Sequence, residues 1–236
     1  MSESPPLGAR LTSVRAGHAL PFGPHGELSA IVKKPLRGVT KVTQNGLVGD
    51  EQGDISHHGG LEKALHHYPF EHYETWREEC PDIVPSEMEV GAFGENFSTV
   101  GLTERNVCIG DVFVLSDATL QVSQGRQPCW KLNVRFGRSD MAKQVQASGR
   151  TGWYYRVLEE GSVVAGEMLT LRERPQPDWP LSRVIEILYQ RTLDRSALEQ
   201  LADMDCLAVS WRRLCCRRLE TCMVEDWFRR ITTPST

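Results

Sequence analysis

The sequence predicts a mainly β domain followed by a small helical module. Short segments rich in β-branched residues recur between residues 27 and 174, separated by glycine and proline. Three prolines then fall close together, and beyond them apolar residues recur at spacings of three and four, which is typical of amphipathic helices. We therefore expect an irregular lead-in (1–26), a β domain (27–174), a proline-rich linker (175–181) and a three-helix module (182–230).

Composition limits the classes of partner. The chain has 236 residues and a formal net charge of -4, which gives no global attraction to nucleic acid or acidic membranes. No apolar run approaches membrane-spanning length. Seven cysteines without regular spacing predict free thiols in a reducing compartment. We expect a cytoplasmic protein without a nucleic-acid or membrane partner.

The first elements are short. In the lead-in only residues 10–15 have strand character, and residues 28–33 and 38–42 follow as two further strand candidates. After a loop, Gly59 and Gly60 allow a tight turn whose amide groups could surround an anion, with Lys63 adding charge. A simple turn is the alternative interpretation of these two glycines.

Histidines cluster in the same region. Five of the seven fall within sixteen positions, which suggests a zinc site: His57, His58, His66, His67 and His72. However, His-Glu-x-x-His and Cys-x-x-Cys are absent, and neighbouring histidines on a strand point to opposite faces. A zinc site is therefore the less favoured hypothesis. Next, the aromatic residues within 70–77 have helical spacing and predict core packing.

The middle of the chain carries the predicted chemistry. Glu95 and Asn96 lie on a glycine-flanked loop, where both could hydrogen-bond a heterocycle. Residues 106–115 and 118–123 predict a hairpin, and its second strand leads to Cys129. Because Gly125 and Pro128 end that strand, we expect the thiol to be presented rather than packed.

Cations surround this cysteine in the sequence. Arg126, Lys131 and Arg135 lie within six positions of Cys129, and neighbouring cations favour the thiolate, which attacks electrophiles and binds soft metals. Cys129 is thus a candidate nucleophile or metal ligand. A small buried hydrophobe in a turn is the alternative.

The remaining elements follow from caps and periodicity. Ser139 and Gly149 predict the start and end of a helix, and residues 153–158 and 168–172 predict two more strands. In the tail, Ser182 and Asp194 are expected N-caps, and a third apolar stripe covers residues 207–215. Arginines of the tail are interpreted as a solvated helix face, not a nucleic-acid contact.

Five motifs occur together in this order: residues 46–52 (Gly-Leu-Val-Gly-Asp-Glu-Gln), 58–60 (His-Gly-Gly) with Lys63, 93–99 (Phe-Gly-Glu-Asn-Phe-Ser-Thr), 109–111 (Ile-Gly-Asp) and 120–132, which ends in Pro-Cys-Trp-Lys-Leu. With this set the chain resembles the MOSC family, the molybdenum cofactor sulfurase C-terminal domain, in its stand-alone 6-hydroxylaminopurine-resistance form. The resemblance covers about residues 27–172, and the tail resembles the three-helix module of that subgroup. It implies a β-barrel of the pyruvate-kinase barrel type and a molybdenum cofactor in its cleft.

The same resemblance assigns roles to residues. It implies that Cys129 is the catalytic ligand to molybdenum. Candidates for the cofactor's phosphate are Lys63, Arg126, Lys131 and the amides of Gly59 and Gly60. Glu95 and Asn96 are candidates for hydrogen bonds to the edges of the pterin. His58 either binds the pterin in the same way or lines the substrate pocket. Where the family usually has proline, this chain has Gly125.

The leading hypothesis is therefore a molybdenum-dependent oxidoreductase that reduces N-hydroxylated compounds, such as hydroxylamino-purines or amidoximes, to amines or amidines. Because the four-cysteine pattern of an iron–sulfur domain is absent, an external reductase would supply electrons. Two alternatives remain: a carrier of molybdenum cofactor or sulfur, and a zinc hydrolase that uses the histidines of 57–72. Oligomeric state is left open between monomer and homodimer.

Overall fold

A computed structural model describes residues 7–53, 59–190 and 193–234. Its strands are β1 (Gly8–Ala16), β2 (Leu20–Pro21), β3 (Leu28–Ser29), β4 (Lys34–Pro35), β5 (Thr40–Thr43), β6 (Gly46–Leu47), β7 (Leu65–His67), β8 (Phe97–Thr99), β9 (Val112–Leu115), β10 (Ala118–Gly125), β11 (Trp153–Glu159), β12 (Gly161–Val163) and β13 (Met168–Glu173). Its helices are α1 (Glu71–Glu79), α2 (Lys131–Phe136), α3 (Met141–Ser148), α4 (Leu181–Tyr189), α5 (Arg195–Ala202), α6 (Val209–Thr221) and α7 (Phe228–Ile231), with 3₁₀ turns at Leu61–Lys63 and Pro85–Glu87.

Seven of the strands form a closed barrel, in the order β13-β9-β10-β11-β7-β8-β1. The sheet closes because β1 also pairs with β13, with Gly8 opposite Thr170, and β4 adds an eighth strand at the edge of β1. Of the neighbouring pairs, only β7 and β8 run parallel. The barrel followed by C-terminal helices confirms the predicted fold class.

Strand β1 shows that the barrel begins well before residue 27. Its nine residues include the predicted 10–15 segment. Their burial alternates on each side of a register shift between Leu11 and Ser13, so both Leu11 and Val14 are buried in the core. It pairs with β8 on one side and β13 on the other. Strand pairing across the whole chain, which local sequence does not reveal, makes this segment part of the barrel.

The hairpin of β9 and β10 forms as predicted and positions the site. Ser116 makes its turn at a positive φ of 56°, and β10 continues two residues further than expected, to Gly125. Helix α2 then begins only two residues after Cys129. That helix was not predicted, because its N-cap position, Trp130, supplies no side-chain cap.

Helix α1, which contains most of the predicted aromatic segment, packs as expected. Tyr73 and Trp76 of α1 are buried with Phe93 in a hydrophobic cluster on one side of the barrel, whereas Phe70 is partly exposed. Helix α3 completes this cluster with Met141 and ends, as predicted, at Gly149 in the left-handed conformation. Both helices thus pack in a hydrophobic cluster distinct from the main core of the barrel.

The C-terminal helices share the core of the barrel. Leu188 and Trp211 belong to the same buried cluster as the barrel residues Leu120 and Trp153. Asp194 caps α5, since its side chain accepts a hydrogen bond from the amide of residue 197. The predicted cap at Ser182 is wrong: α4 begins at residue 181, and its N-cap position is occupied by proline.

The predicted three helices are joined by a fourth, the four-residue α7. Within the described parts of the chain, no helix has the length and apolar character needed to cross a bilayer.

Candidate functional site

A cleft with two connected chambers lies beside Cys129. The inner chamber, of about 80 Å³, is lined by residues that include Lys33, Asp50, His66, Asn96 and Arg126. The outer chamber, of about 810 Å³, is lined by residues that include Glu27, Gln124, Trp130, Ser210, Arg229 and Arg230. Four side chains line both chambers: Lys63, Cys129, Lys131 and Tyr154. The thiol therefore lies where the two chambers meet.

Cys129 is only 6% exposed. Its thiol is therefore presented to the cleft and not to bulk solvent. The loop that carries it is held by the C-terminal elements. Tyr189 Oη donates to the carbonyl of Arg126 at 2.7 Å, and the amide of Trp130 donates to the carbonyl of Arg230 at 2.8 Å. The Arg230 guanidinium also donates to the Pro128 carbonyl. This loop is thus fixed by residues distant in sequence.

A buried polar network forms one wall of the inner chamber. Asp50 accepts hydrogen bonds from Lys33 Nζ and, at 2.8 Å, from Asn96 Nδ2, while Asn96 Oδ1 accepts from the amide of His66 at 2.9 Å. Burial lowers the pKa of Lys33, and the neighbouring Asp50 carboxylate opposes that shift. Asn96, a predicted site residue, therefore lies in the cleft, with its amide atoms already in hydrogen bonds.

Arg126 is the cation most suited to an anionic group. Its side chain is buried, with the residue only 5% exposed, and its Nη1 has no hydrogen-bond partner among the described residues. Burial lowers the pKa of His66 well below its usual range, and the Arg126 cation adds to the effect. His66 is therefore neutral. A buried guanidinium with an unsatisfied N–H at a cavity wall is a strong site for an anionic oxygen.

Lys131 and Lys63 are placed in the cleft by short helical segments. Lys131, at the start of α2, donates from Nζ to the carbonyl of Leu28 at 2.7 Å. Lys63 ends the 3₁₀ turn that follows Gly60, which has a positive φ of 93°. Gly60 thus positions the lysine, but neither it nor Gly59 is among the lining residues.

Two predicted residues lie away from the cleft. Glu95 is fully buried and does not line either chamber; its Oε1 accepts hydrogen bonds from Tyr73 Oη and the amide of Gly91. Burial raises the pKa of Glu95. The hydrogen bonds of this carboxyl are to Tyr73 of α1 and to Gly91, not to groups of the cleft. Arg135 lines neither chamber. His58 lies outside the described residues, as does His57.

The other three histidines occupy different environments. His66 faces the inner chamber, while His67 turns the other way, with its ring stacked on Trp153 at 4.3 Å between centroids. His72 Nε2 is hydrogen-bonded to Glu104 at 2.7 Å, at the edge of a separate cavity. Across residues 7–53, 59–190 and 193–234, no three His, Cys, Asp or Glu side chains form a group that could hold a metal.

Several lining residues were not predicted. Lys33 has no local signal in the sequence. Asp50 lies in the motif of residues 46–52, which does not by itself indicate a role for this residue. Arg229 and Arg230 enter the cleft from the far C-terminus, 100 positions or more after Cys129. Their contribution depends on how the helices pack, which no local pattern records.

Comparison with known proteins agrees with this architecture. A family model for the MOSC domain matches residues 54–170, and a second model, for the YiiM-like 3-alpha helix domain, matches residues 179–221. Protein YiiM of Escherichia coli is 41% identical over 209 residues, which cover 88% of this chain and 92% of that protein. A protein of Gibberella moniliformis named "Reductase" is 39% identical over 196 residues; they cover 82% of this chain but only 35% of that longer protein.

The three-dimensional similarity is equally extensive. The crystal structure of YiiM from Escherichia coli superposes with a TM-score of 0.82 at 34% identity, covering 96% of this chain and all of that one. Both the barrel and the helical module are thus accounted for by one type of protein. The chain belongs to the MOSC family, in the YiiM-type form in which a three-helix domain follows the barrel.

Proposed function

We propose that this protein is a molybdenum-cofactor-dependent reductase of small N-hydroxylated compounds, such as hydroxylamino-purines and amidoximes. The observation that supports it most is the position of Cys129 at the junction of two chambers, beside a buried arginine with an unsatisfied N–H. The reaction consumes two electrons and two protons, breaks the N–O bond, and releases the amine or amidine and water. Both the cofactor and the substrate class belong to this proposal.

The residues of the cleft fit such a cofactor. MOSC domains are associated with molybdenum cofactor binding in general. A cysteine thiolate is a soft ligand suited to a sulfur-rich metal centre. The Nη1 of Arg126, which has no partner within the described part of the chain, suits the cofactor's phosphate together with the ammonium of Lys131. When bound, the cofactor would supply the two-electron chemistry that accepts the substrate's hydroxyl oxygen.

The chain's own residues would orient the substrate through hydrogen bonds and charge. Burial raises the pKa of Tyr154, so its Oη keeps its proton and can donate to an oxygen in the cleft. Lys33, held by Asp50, keeps a positive charge on the wall of the inner chamber. The low exposure of Cys129 limits access of water to the reacting centre.

Electrons would come from a separate reductase. The chain matches about a third of the longer fungal relative named as a reductase, so a related segment occurs within a larger protein of that name. We infer that this chain depends on an external electron-donating protein for the same purpose. Monomer and homodimer are both compatible with this arrangement.

Cys129→Ser tests the assignment directly. We expect the purified variant to lose molybdenum and reductase activity while keeping its fold, because a serine hydroxyl is a far poorer ligand for a soft metal. Metal content, fluorescence of the released oxidised pterin and turnover of an N-hydroxylated purine with an artificial electron donor would be measured. Cys216→Ser, at an exposed position, is the matched control.

Each outcome has a defined meaning. Retained turnover in Cys129→Ser would contradict the proposed role of the thiol. Bound cofactor without turnover in the wild type would favour a carrier of molybdenum cofactor or sulfur. Zinc without molybdenum would favour hydrolysis at the histidine cluster instead.

A further inference from the structure

The outer chamber has an excess of positive charge. Its described lining includes four cationic side chains, Lys63, Lys131, Arg229 and Arg230, against one carboxylate, Glu27. This excess of positive charge occurs in a chain whose formal net charge is -4. Concentrated opposite charge in a concave site raises the local concentration of an anionic ligand.

The cations of the outer chamber differ in how they are engaged. The Arg230 guanidinium donates to the Pro128 carbonyl and to Gln146 Oε1, and Lys131 donates to the Leu28 carbonyl. Arg229 is exposed, and no described residue forms an ion pair or hydrogen bond with its side chain. Arg229 therefore keeps its donors available for a ligand, while its neighbours reinforce the positive potential.

The same chamber offers a surface for a planar ring. Trp130 lines it and is half-buried. Gln124, Gln127 and Ser210 add amide and hydroxyl groups. An indole with neighbouring amides suits a heterocycle that stacks and forms edge hydrogen bonds.

The size of the chamber allows more than a free base. Its volume of about 810 Å³ falls in the upper part of the range for small-molecule sites, about 300–1,000 Å³. Glu27, Arg229 and Arg230 lie outside both ranges matched by the family models. Arg229 and Arg230 thus enter this wall from the segment that follows the matched helical domain.

From these features we propose that the outer chamber binds the phosphorylated form of an N-hydroxylated base, a nucleoside monophosphate, with the base beside Trp130 and the phosphate at Arg229. The proposal rests on the proposed function for the reaction but concerns a separate property, the anionic group of the substrate. The cofactor's phosphate is assigned to Arg126 and Lys131, and the substrate's phosphate to Arg229, so the two anions have different partners.

Binding to the purified holoprotein tests this without turnover. Calorimetry would compare adenosine 5′-monophosphate with adenosine, with inorganic phosphate as competitor. We expect the monophosphate to bind about tenfold more tightly, since a charge-assisted contact to a phosphate is among the stronger hydrogen bonds. Arg229→Ala should remove most of this difference. Arg213→Ala, an exposed arginine of α6 that lines neither chamber, should preserve it.

Three results with the purified protein, before any turnover assay, would overturn the proposal. They are equal affinity for the nucleoside and its monophosphate, an equal loss for both ligands in Arg229→Ala, and loss of bound molybdenum or pterin in that variant. The last result would assign Arg229 to the cofactor. In turnover assays, reduction of N-hydroxylated adenosine without preference for its monophosphate would leave the proposed function standing while removing this inference. Preferential binding of the monophosphate without any turnover would contradict the proposed function and leave the inferred binding site standing.

Discussion

His67 illustrates how a single buried side chain couples stability to pH. Its Nε2 is hydrogen-bonded to Thr99 at 2.9 Å, its Nδ1 lies 3.2 Å from Tyr155 Oη, and its ring stacks on Trp153. Burial lowers its pKa from 6.5 to about 3. The folded protein therefore holds this imidazole neutral over a pH range in which the unfolded chain would take up a proton.

A pH series of unfolding curves tests this coupling. A depressed histidine pKa contributes stability that is complete above pH 6.5 and is lost as pH falls toward 3. Between pH 7.5 and 5.5, His67 should lower the free energy of unfolding by about 1.4 kcal/mol. His67→Gln should remove that part of the slope in urea titrations. An identical slope in the variant would contradict the assignment to this residue.

The site residues divide by the kind of signal they leave in the sequence. Cys129, Arg126 and Lys131 were predicted because the break after a strand and the nearby cations are local features. Glu95 was predicted to face a ligand, yet its side chain is directed toward Tyr73, since residues on one loop can turn to either side. Arg230 left no signal, because its place beside Pro128 follows from the path of the whole C-terminal segment.

At the scale of elements, the contact between β10 and the C-terminal helices sets the course of the cysteine loop. Gly125 lies at the end of β10. A Cβ at this position would lie 3.0 Å from both Ile185 Cγ1 of α4 and Trp211 Cη2 of α6. The missing side chain thus allows these helices to pack directly on the strand that leads to Cys129.

Gly125→Ala should therefore destabilise the protein through overpacking. We expect a loss of about 1–3 kcal/mol in the free energy of unfolding, the usual effect of extra atoms in a filled core. In an Ile185→Ala background, which is itself destabilised, the added cost of Gly125→Ala should be smaller because one of the two close neighbours is gone. A double-mutant cycle from chemical unfolding measures the coupling. Strictly additive effects would show that the contact is not tight.

Elements with strong local signals were predictable, and those without were not. The hairpin of β9 and β10 and the Asp194 cap follow from turn and cap chemistry. Helix α2 lacks a side-chain cap and spans only six residues, so the sequence contains no local pattern that predicts it. The strand character of β1 was visible, but its place in the barrel depends on partners at residues 97–99 and 168–170.

At the scale of the whole molecule, the barrel and the helices share one hydrophobic core. A shared core predicts one cooperative unfolding transition rather than two. Leu188→Ala, a fully buried position on α4, should lower the stability of the entire chain by about 2–5 kcal/mol. Leu193→Ala, where 43% of the side chain is exposed, is the control and should change stability by less than about 0.5 kcal/mol.

Calorimetry combined with two spectroscopic probes would measure the number of unfolding transitions and the loss of stability. Both variants should unfold in a single transition that is the same by near- and far-ultraviolet circular dichroism. A separate, unshifted transition for the barrel in Leu188→Ala would show that the helical module folds independently.

Closure of the barrel by β1 and β13 also constrains how the protein folds during translation. Residue 8 pairs with residue 170, so its partner emerges from the ribosome only after more than 160 further residues have been added. At synthesis rates of about 5–20 residues per second, β1 waits roughly 10–30 s with one edge unpaired. During translation this strand is therefore a natural target for chaperones, and a slow stretch of synthesis late in the barrel would prolong its exposure.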